Sequence, residues 1–258
     1  LRRRITDVGL QLPERVDVPE VLRMPASEMA HYEECRRRCH AEGRSPFDAL
    51  TQLRQFCCHP LLLEKDAVLG ASRIELNAKL ERVQEILEQL VLSDDKCLIF
   101  TTYIRMAEIL EATCRNMQLW VRTINGQSTA VDERQPIIDD FSSHRGPGVL
   151  ILNHIAGGVG LNIQAANRVI HYNLEWNPAV EEQATGRAYR MGQTRTVFVH
   201  RMYYLGTVEQ VIDERVERKR QLSANAVVGV RGDDADLAAA LAMSPMRSED
   251  DDASGALV

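Results

Sequence analysis

The strongest constraint on the fold is a regular alternation of short apolar runs with segments of helical composition along residues 96–223. Each run is six to ten residues long, as strands are, and is rich in Val, Ile, Leu and aromatic residues. Strands that alternate with helices predict an α/β fold, in which a parallel sheet is covered by helices on both faces. The runs are KCLIFT (96–101), LWVRTI (119–124), GVLILN (148–153), NRVIHYNL (167–174) and TVFVHRMYYL (196–205).

The segments between these runs are predicted to be helices. One runs from Met106 to Asn116, and after a turn at Asn125 and Gly126 the next lies around VDERQPIIDDF, where we expect an interruption at Pro136. AVEEQATGRAYRM is predicted as another helix, and TVEQVIDERVERKRQLS as a terminal one.

Residues 1–92 predict an accessory, mainly helical region. An extended opening segment contains three prolines, and two helices follow, from Ser27 to about Arg44 and from Phe47 to His59, the second closed by Pro60. A longer amphipathic helix is expected to be capped by Ser72. Its predicted buried face consists of Ile74, Leu76, Leu80, Val83, Ile86, Leu87 and Leu90.

The net charge of −6 is concentrated at the end of the 258-residue chain. Residues 231–258 hold seven acidic and two basic residues, which leaves 30 acidic and 29 basic residues elsewhere. A nearly neutral body does not exclude a nucleic-acid partner, because local patches set phosphate affinity. No apolar run approaches the roughly 18 residues that cross a bilayer, and no signal peptide is evident. We therefore expect an intracellular protein without a membrane partner.

The six cysteines raise one alternative, a zinc site. Residues 35–59 contain the ligand types Cys35, Cys39, His40, Cys57, Cys58 and His59. No CxxC pair occurs, however, and adjacent residues such as Cys57 and Cys58 seldom both point at one tetrahedral metal. Buried, reduced thiols are therefore the favoured interpretation, with no metal site.

A glycine-rich loop, NHIAGGVGLN at 153–162, follows the run GVLIL. Gly157, Gly158 and Gly160 would let the backbone approach a phosphate, although a simple tight turn explains them as well. The spacing is not that of a dinucleotide fingerprint, and no GxxxxGK[ST] occurs in the chain. The chain alone therefore cannot hold a nucleoside triphosphate and Mg²⁺ in the usual cradle.

The stretch EEQATGRAYRMGQ at 181–193 places Gln183, Arg187 and Arg190 on one face if it is helical. Guanidinium groups in that arrangement suit an anionic target. A solvated face, with Glu181 and Glu182 as salt-bridge partners, is supported equally by the spacing. Val180, Ala184 and Ala188 form a second stripe of small apolar residues, which could pack against another part of the protein.

These segments resemble the motifs of the Swi/Snf-type ATPases of helicase superfamily two. AGGVGLNIQAANRVIHYNLEWNP and EEQATGRAYRMGQ are similar to motifs V and VI, and KCLIFTTY is similar to motif IV. INGQSTAVDERQPIIDDF has the pattern that follows, at Gly126, Arg134 and Phe141. LTQLRQFCCHP resembles the family's LRQxCxHP helix, and LRRRITDVGLQLP the segment that joins its two lobes. The matches are in order and span residues 1 to about 223.

The resemblance implies a RecA-like second helicase lobe with an N-terminal helical insertion, in a motor whose ATP and Mg²⁺ are bound mainly by an N-terminal lobe that this chain lacks. No cofactor is then expected in the isolated chain. The implied division is a connecting segment (1–25), a helical insertion (26–71), the RecA-like lobe (72–206), a brace helix (207–224) and an acidic tail (225–258). The tail is expected to be disordered, with at most a short helix in DADLAAALAM, and is a candidate site for a protein partner.

The resemblance also implies roles for single residues. Arg187 and Arg190 would be arginine fingers that neutralise charge on the γ-phosphoryl group, and Gln183, Gly158 and Gly160 would lie near the nucleotide. Duplex DNA would be contacted through its backbone by Thr102, Gly126, Gly157, Asn162 and Trp176.

One departure concerns the segment before Ala-Gly-Gly. Where the family usually has Ser-Thr-Lys, this chain has Asn153, His154 and Ile155. His154 then either donates to a DNA phosphate or is a loop histidine with a local hydrogen bond.

The leading hypothesis is the C-terminal lobe of an ATP-dependent DNA translocase that remodels or displaces bound protein. It would act in the cytoplasm or nucleoid of a bacterium, or in the nucleus of a eukaryote. A related motor on RNA or on a transcription complex, and a non-catalytic docking module, remain as alternatives.

Overall fold

A single six-stranded parallel sheet organises the chain. The structure, a computed structural model, describes residues 12–64, 76–126, 129–154, 161–223 and 234–246. The strand order is β1-β6-β5-β2-β4-β3. The strands are β1 (Arg15–Leu22), β2 (Lys96–Phe100), β3 (Trp120–Ile124), β4 (Gly148–Leu152), β5 (Arg168–His171) and β6 (Val197–Tyr204). The α/β prediction, with its parallel sheet, is confirmed.

Both faces of the sheet are covered. The consecutive residues Leu98, Ile99 and Phe100 of β2 are all fully buried, although neighbouring side chains of a strand point to opposite faces. All five residues of β4 are buried as well. This burial explains why the central strands read as continuous apolar runs rather than as alternating patterns.

The helices lie close to the predicted segments. They are α1 (Ala26–Ala41), α2 (Pro46–Cys58), α3 (Ala78–Ser93), α4 (Ile104–Asn116), α5 (Val131–Ser143), α6 (Pro178–Thr185), α7 (Val208–Ser223) and α8 (Asp234–Ala242), with a 3₁₀ turn at Pro60–Leu63. Among the described residues, none of these helices is long and apolar enough to cross a bilayer.

The chain divides into two compact units. Unit 1 contains Leu1–Pro19, Val83–His171 and Ala179–Arg201. Unit 2 contains Glu20–Arg82, Tyr172–Pro178 and Met202–Val258. The finer division into connecting segment, insertion, lobe, brace helix and tail stays a prediction.

The core of unit 1 includes one cluster that joins the sheet to α5 and α6. Phe141 of α5 and Ala184 of α6 are fully buried against strand residues such as Leu150. Ala188 is also fully buried in this cluster, so the predicted packing of Ala184 and Ala188 is confirmed. Val180 is only half-buried.

Unit 2 contains a buried ion pair. The Nζ of Lys79, which is fully buried, donates to Glu209 Oε1 at 2.5 Å and to the Tyr172 carbonyl at 3.2 Å. Glu209 Oε2 in turn accepts from the Tyr204 amide at 3.0 Å. The pair is therefore satisfied by further hydrogen bonds, as a buried charge pair must be.

The predicted start of the long amphipathic helix was wrong. The helix α3 begins at Ala78, and the side chain of Asn77 caps it by accepting from the Leu80 amide at 2.9 Å. Ser72 and Ile74 lie outside the described residues, and Leu76 is 46% exposed. Since Leu76 precedes the first helical turn, the 3.6-residue period does not apply to it. The other predicted face residues of α3 are fully buried: Leu80, Val83, Ile86, Leu87 and Leu90.

Two further differences concern the opening segment and α5. The extended opening segment is not only a connector, since Arg15–Leu22 forms the edge strand β1, where Pro19 is tolerated because an edge strand leaves some N–H groups without a ladder partner. The helix α5 continues through Pro136, although the missing N–H removes one helical hydrogen bond. The short helix expected within DADLAAALAM is present as α8, and its Asp236 accepts from Arg215 Nη1 at 2.6 Å.

All six cysteines are buried free thiols, as expected. Burial raises the pKa of Cys35 to about 11 and that of Cys58 and Cys114 to about 12. These thiols are therefore protonated at neutral pH and poor nucleophiles.

Candidate functional site

The helix that carries the candidate arginines is shorter than predicted. It ends at Thr185, so Gln183, Arg187 and Arg190 do not share one helical face. Beyond Thr185 the Arg187 amide bonds to the Ala184 carbonyl, three residues back, at 3.2 Å. Gly186 weakens the helix because it has the largest backbone entropy to lose. Gln183 is consequently exposed, Arg187 buried and Arg190 half-buried.

Arg187 lies at the carboxyl edge of the sheet, where ligands of open α/β folds bind. Its guanidinium carbon is 5.4 Å from the ring centre of Phe100, the last residue of β2. Its Nη2 donates a long hydrogen bond of 3.4 Å to the backbone carbonyl of His154, just beyond β4. Only 6% of the residue is exposed, and this burial lowers the pKa of the guanidinium. Removal from water therefore disfavours the charge of Arg187, and an anion brought to it would compensate that loss.

Two buried histidines lie beside this arginine. His154 Nε2 and His171 Nδ1 are 3.2 Å apart, and His171 Nε2 is 2.9 Å from the Thr185 hydroxyl. His154 is 4% exposed. It therefore matches the expectation of a locally hydrogen-bonded histidine better than that of a DNA contact. His154 was singled out because its residue type departs from the family motif, but no sequence pattern pointed to His171 or Thr185.

The acidic neighbours of the arginines form ion pairs with other residues. Glu181 is fully buried and accepts from Arg201 Nε at 3.1 Å. Glu182 accepts from both terminal nitrogens of Arg15, at 2.7 and 3.0 Å. The ion pairs of Glu181 and Glu182 are therefore with Arg201 and Arg15, and not those of the alternative in which both acids pair with Arg187 and Arg190.

Arg190 is the second cation of the stretch. Its Nε is buried and has no hydrogen-bond partner among the described residues. An unsatisfied buried donor costs free energy unless a ligand or water completes it. Arg190 thus also fits an anionic ligand.

Gln193 joins the two segments of the site and was missed by the sequence reasoning. Its Nε2 lies 3.1, 2.8 and 3.3 Å from the carbonyls of Gln164, Ala166 and Ala188. Its Oε1 accepts from the amides of residues 194 and 195, both at 3.0 Å. The Ile163 amide also donates to the Arg187 carbonyl at 2.9 Å. These hydrogen bonds therefore hold the segments 161–167 and 187–195 together. Only the position of Gln193 within the motif could have indicated that role.

Three strand ends meet beside this site. Asn153, after β4, donates from Nδ2 to the Thr102 carbonyl at 2.9 Å, and its amide lies 3.4 Å from the Ile124 carbonyl. A shallow depression at this edge is lined by Thr101, Tyr103, Ile104, Ala107, Thr123, Ile124, Asn125 and Asn153. Thr102 is half-buried and Gly126 is exposed at the end of the turn after β3. The structure therefore gathers the loops that carry Thr102, Gly126 and Asn153.

Two of the remaining predicted site residues, Asn162 and Trp176, belong to the described part of the chain. Asn162 is exposed in the segment after the glycine-rich loop, while Gly157, Gly158 and Gly160 lie outside the described residues. Trp176 belongs to unit 2, where its ring is 5.1 Å from the guanidinium of Arg215. It also packs against the buried cluster of Leu174, Ile212 and Val216.

Comparisons with known proteins agree with this architecture. Residues 78–192 match the helicase conserved C-terminal domain. The putative ATP-dependent helicase/translocase YwqA of Bacillus subtilis (strain 168) is 37% identical over 233 residues, which cover 86% of this chain and 25% of that protein. The chain thus spans about a quarter of the length of this relative.

Two solved structures are similar in fold. The Sulfolobus solfataricus SWI2/SNF2 ATPase core domain superposes with a TM-score of 0.72 at 26% identity, over 93% of this chain and 51% of that one. The same ATPase core in complex with dsDNA gives a TM-score of 0.66 at 29% identity, over 81% and 45% of the two chains. With the parallel sheet and the motif order, these likenesses show that the chain belongs to the Swi/Snf-type proteins of helicase superfamily two, as their C-terminal helicase lobe.

Proposed function

We propose that this chain is the C-terminal motor lobe of an ATP-dependent DNA translocase that remodels or displaces proteins on duplex DNA. The observation that carries the proposal is the position of Arg187. Its buried guanidinium lies at the carboxyl edge of the sheet, between the ring of Phe100 and the carbonyl of His154. In this proposal a nucleotide held by an N-terminal lobe brings its phosphates to that edge.

Arg187 and Arg190 act on the phosphoryl group as it transfers. A guanidinium remains charged at any working pH and binds phosphate oxygens through paired N–H groups. Because Glu181 and Glu182 pair with Arg201 and Arg15, the charges of the two fingers are less offset by these neighbours. The fingers stabilise the extra negative charge of the transition state, which is where differential binding accelerates a reaction.

ATP with Mg²⁺ supplies the transferable phosphoryl group when it is bound. The donors of this chain fit a phosphate: a buried guanidinium at Arg187, and the buried Nε of Arg190, for which the described residues supply no partner. No group of three or more metal-binding side chains occurs in the described part of the chain. Following the family resemblance, we assign Mg²⁺ mainly to the N-terminal lobe and Gly158 and Gly160 to the nucleotide. We assign Gln183 to positioning of the nucleotide or to coupling of the lobes.

Duplex DNA is the proposed track. The similar Sulfolobus core was solved with dsDNA, which supports the same class of partner for this chain. We assign Thr102, Gly126, Gly157, Asn162 and Trp176 to the sugar-phosphate backbone. Contacts of that kind give sequence-independent binding that weakens as salt rises. A DNA partner also implies that the protein acts in the nucleoid or the nucleus.

The nucleic-acid specificity of ATP hydrolysis tests this proposal. The measurement uses the two-lobe protein, meaning the polypeptide in which this chain is joined to its N-terminal lobe. We expect duplex DNA to stimulate its hydrolysis and single-stranded RNA to leave the basal rate unchanged. Stimulation by RNA alone would identify the related RNA motor instead.

The isolated chain is expected to hydrolyse ATP no faster than background, because the phosphate cradle is assigned to the other lobe. Turnover by the isolated chain that is lost in Arg187→Ala would contradict this expectation. If the two-lobe protein is inactive, yet binds a protein partner equally well after charge reversal at Arg187 and Arg190, the docking-module alternative holds.

A further inference from the structure

A chain of buried hydrogen bonds joins three elements of unit 1 next to Arg187. It runs from His154, after β4, through His171, the last residue of β5, to Thr185, the last residue of α6. The two contacts measure 3.2 Å and 2.9 Å. All three residues are at most 4% exposed. Buried polar groups that connect separate elements fix their relative positions when every contact is made.

The two histidines form an aromatic cluster with Phe100. The two imidazole rings are nearly parallel, with centres 5.5 Å apart and an angle of 13° between their planes. The Phe100 ring lies 5.5 Å from His154 and 5.6 Å from His171. Because the guanidinium of Arg187 lies over Phe100, a rotation of either imidazole would change the surface on which Arg187 rests.

Thr185 also holds the turn that carries Arg187 through its backbone. Its carbonyl accepts from the amides of Ala188 at 3.0 Å and Tyr189 at 2.9 Å, directly beyond Arg187. Its side-chain hydroxyl meets His171 on the other side. The last residue of α6 is therefore fixed both to the turn and to β5.

The donors and acceptors along the His154–His171–Thr185 hydrogen-bond chain give the Thr185 hydroxyl a specific role. A neutral imidazole has one donor and one acceptor nitrogen, so the two contacts are satisfied when all donors point the same way. The hydroxyl of Thr185 completes either direction because it both donates and accepts. Without it, the Nε2 of His171 loses its 2.9 Å contact with the Thr185 hydroxyl.

We propose that Thr185, acting through His171 and His154, is a positioning residue for Arg187 in phosphoryl transfer. The inference rests on the proposed role of Arg187 as an arginine finger. Thr185 does not touch the nucleotide; its hydroxyl sets the orientation of the imidazole pair, and the pair sets the surface and the carbonyl that hold the guanidinium. Loss of the hydroxyl lowers the rate of the chemical step and leaves the binding of ATP and DNA unchanged.

Two substitutions at Thr185 separate this role from simple packing. Thr185→Val keeps the volume and removes the hydroxyl, whereas Thr185→Ser keeps the hydroxyl and removes a methyl group. In the two-lobe protein with duplex DNA, we expect Thr185→Val to lower kcat by about ten- to a hundredfold, with the KM for ATP and the Kd for DNA within about twofold. Thr185→Ser is expected to retain kcat within about threefold.

A packing role predicts the opposite order, because a cavity is then the damaging change. A kcat that is normal in Thr185→Val and low in Thr185→Ser would therefore overturn the proposal. Equal losses in both variants would overturn it too. A parallel loss of ATP and DNA binding would show general damage and would also count against it.

A combination with Arg187→Lys tests whether Thr185 acts through the arginine. If it does, Thr185→Val lowers kcat much less in the Arg187→Lys background than in the wild type, because the effects of substitutions at coupled residues do not add. Equal factors in both backgrounds would contradict the proposal. The proposed function fails separately, if Arg187→Lys itself leaves DNA-stimulated hydrolysis unchanged.

Discussion

Among single residues, the buried side chains of Asp95 and Arg187 differ in how well their charged forms are stabilised. Burial alone would raise the pKa of Asp95, but hydrogen bonds involving Ser93, Asn167 and Arg168 and the charge of Arg195 lower it below its usual value of 3.8. Burial lowers the pKa of Arg187, which means that its charged form is disfavoured. The charge of Asp95 therefore stabilises the fold, whereas the charge of Arg187 is held at a cost that an anionic ligand offsets.

Asp95→Asn tests the structural role of that carboxylate. We expect the free energy of unfolding of the chain to fall by roughly 1–3 kcal/mol at pH 7, because hydrogen bonds to a buried charge are lost. Since the folded-state pKa is depressed, the contribution of Asp95 is present above about pH 4 and disappears as the pH falls through the folded-state pKa. Urea unfolding at pH 7 and at pH 3 measures the difference.

Asp140→Asn is the matched control, since Asp140 is exposed on α5. It should change stability by less than about 0.5 kcal/mol at either pH. A loss in Asp95→Asn that is equally large at pH 3 would show that the carboxylate charge is not the cause.

At the scale of elements, the end of α6 decides the geometry of the site. Periodicity alone extends this helix to Met191, but it ends at Thr185. The Arg187 carbonyl accepts from the Ile163 amide, and the Nε2 of Gln193 lies within hydrogen-bond distance of three further backbone carbonyls. Contacts between segments distant along the chain thus replace helical hydrogen bonds, and no local pattern reports them.

Gln193→Ala should loosen these segments without unfolding the sheet. Three carbonyls and two amides lose a partner, so local opening should become easier. We expect amide hydrogen exchange in peptides covering 161–167 and 187–195 to become about tenfold faster or more. Peptides covering β4 should keep their rates.

Gln183→Ala serves as the control because Gln183 is an exposed glutamine on α6. It should leave exchange in all three peptides unchanged. Unaltered exchange in Gln193→Ala would mean that the remaining contacts, such as Ile163 to Arg187, suffice to hold the segments.

For the whole molecule, the strands that local runs of apolar residues mark could be predicted from the sequence. The apolar runs located the five strands from β2 to β6 because strands buried on both faces need apolar residues throughout. The strand β1 was missed as a strand because Pro19 and its polar neighbours fit a connector equally well. Its pairing depends on β6, which lies about 180 residues further along the chain.

The candidate site was predictable only in its residue types. The motif pattern selected Arg187 and Arg190, but their separate environments depend on Phe100, His154 and the end of α6. The ion pairs of Glu181 and Glu182 with Arg201 and Arg15 likewise join distant parts of the chain. Such pairs follow from the packed tertiary structure rather than from spacing.

Single-turnover ATP hydrolysis in the two-lobe protein, with saturating ATP and duplex DNA, tests whether Arg187 and Arg190 are arginine fingers. If they are, Arg187→Ala and Arg190→Ala each lower the rate by about 10³–10⁵-fold while DNA affinity stays the same. Arg37→Ala, which removes an exposed arginine paired with Glu34 on α1, should hydrolyse at the wild-type rate. Rates in Arg187→Ala and Arg190→Ala within a few-fold of that control would contradict the account.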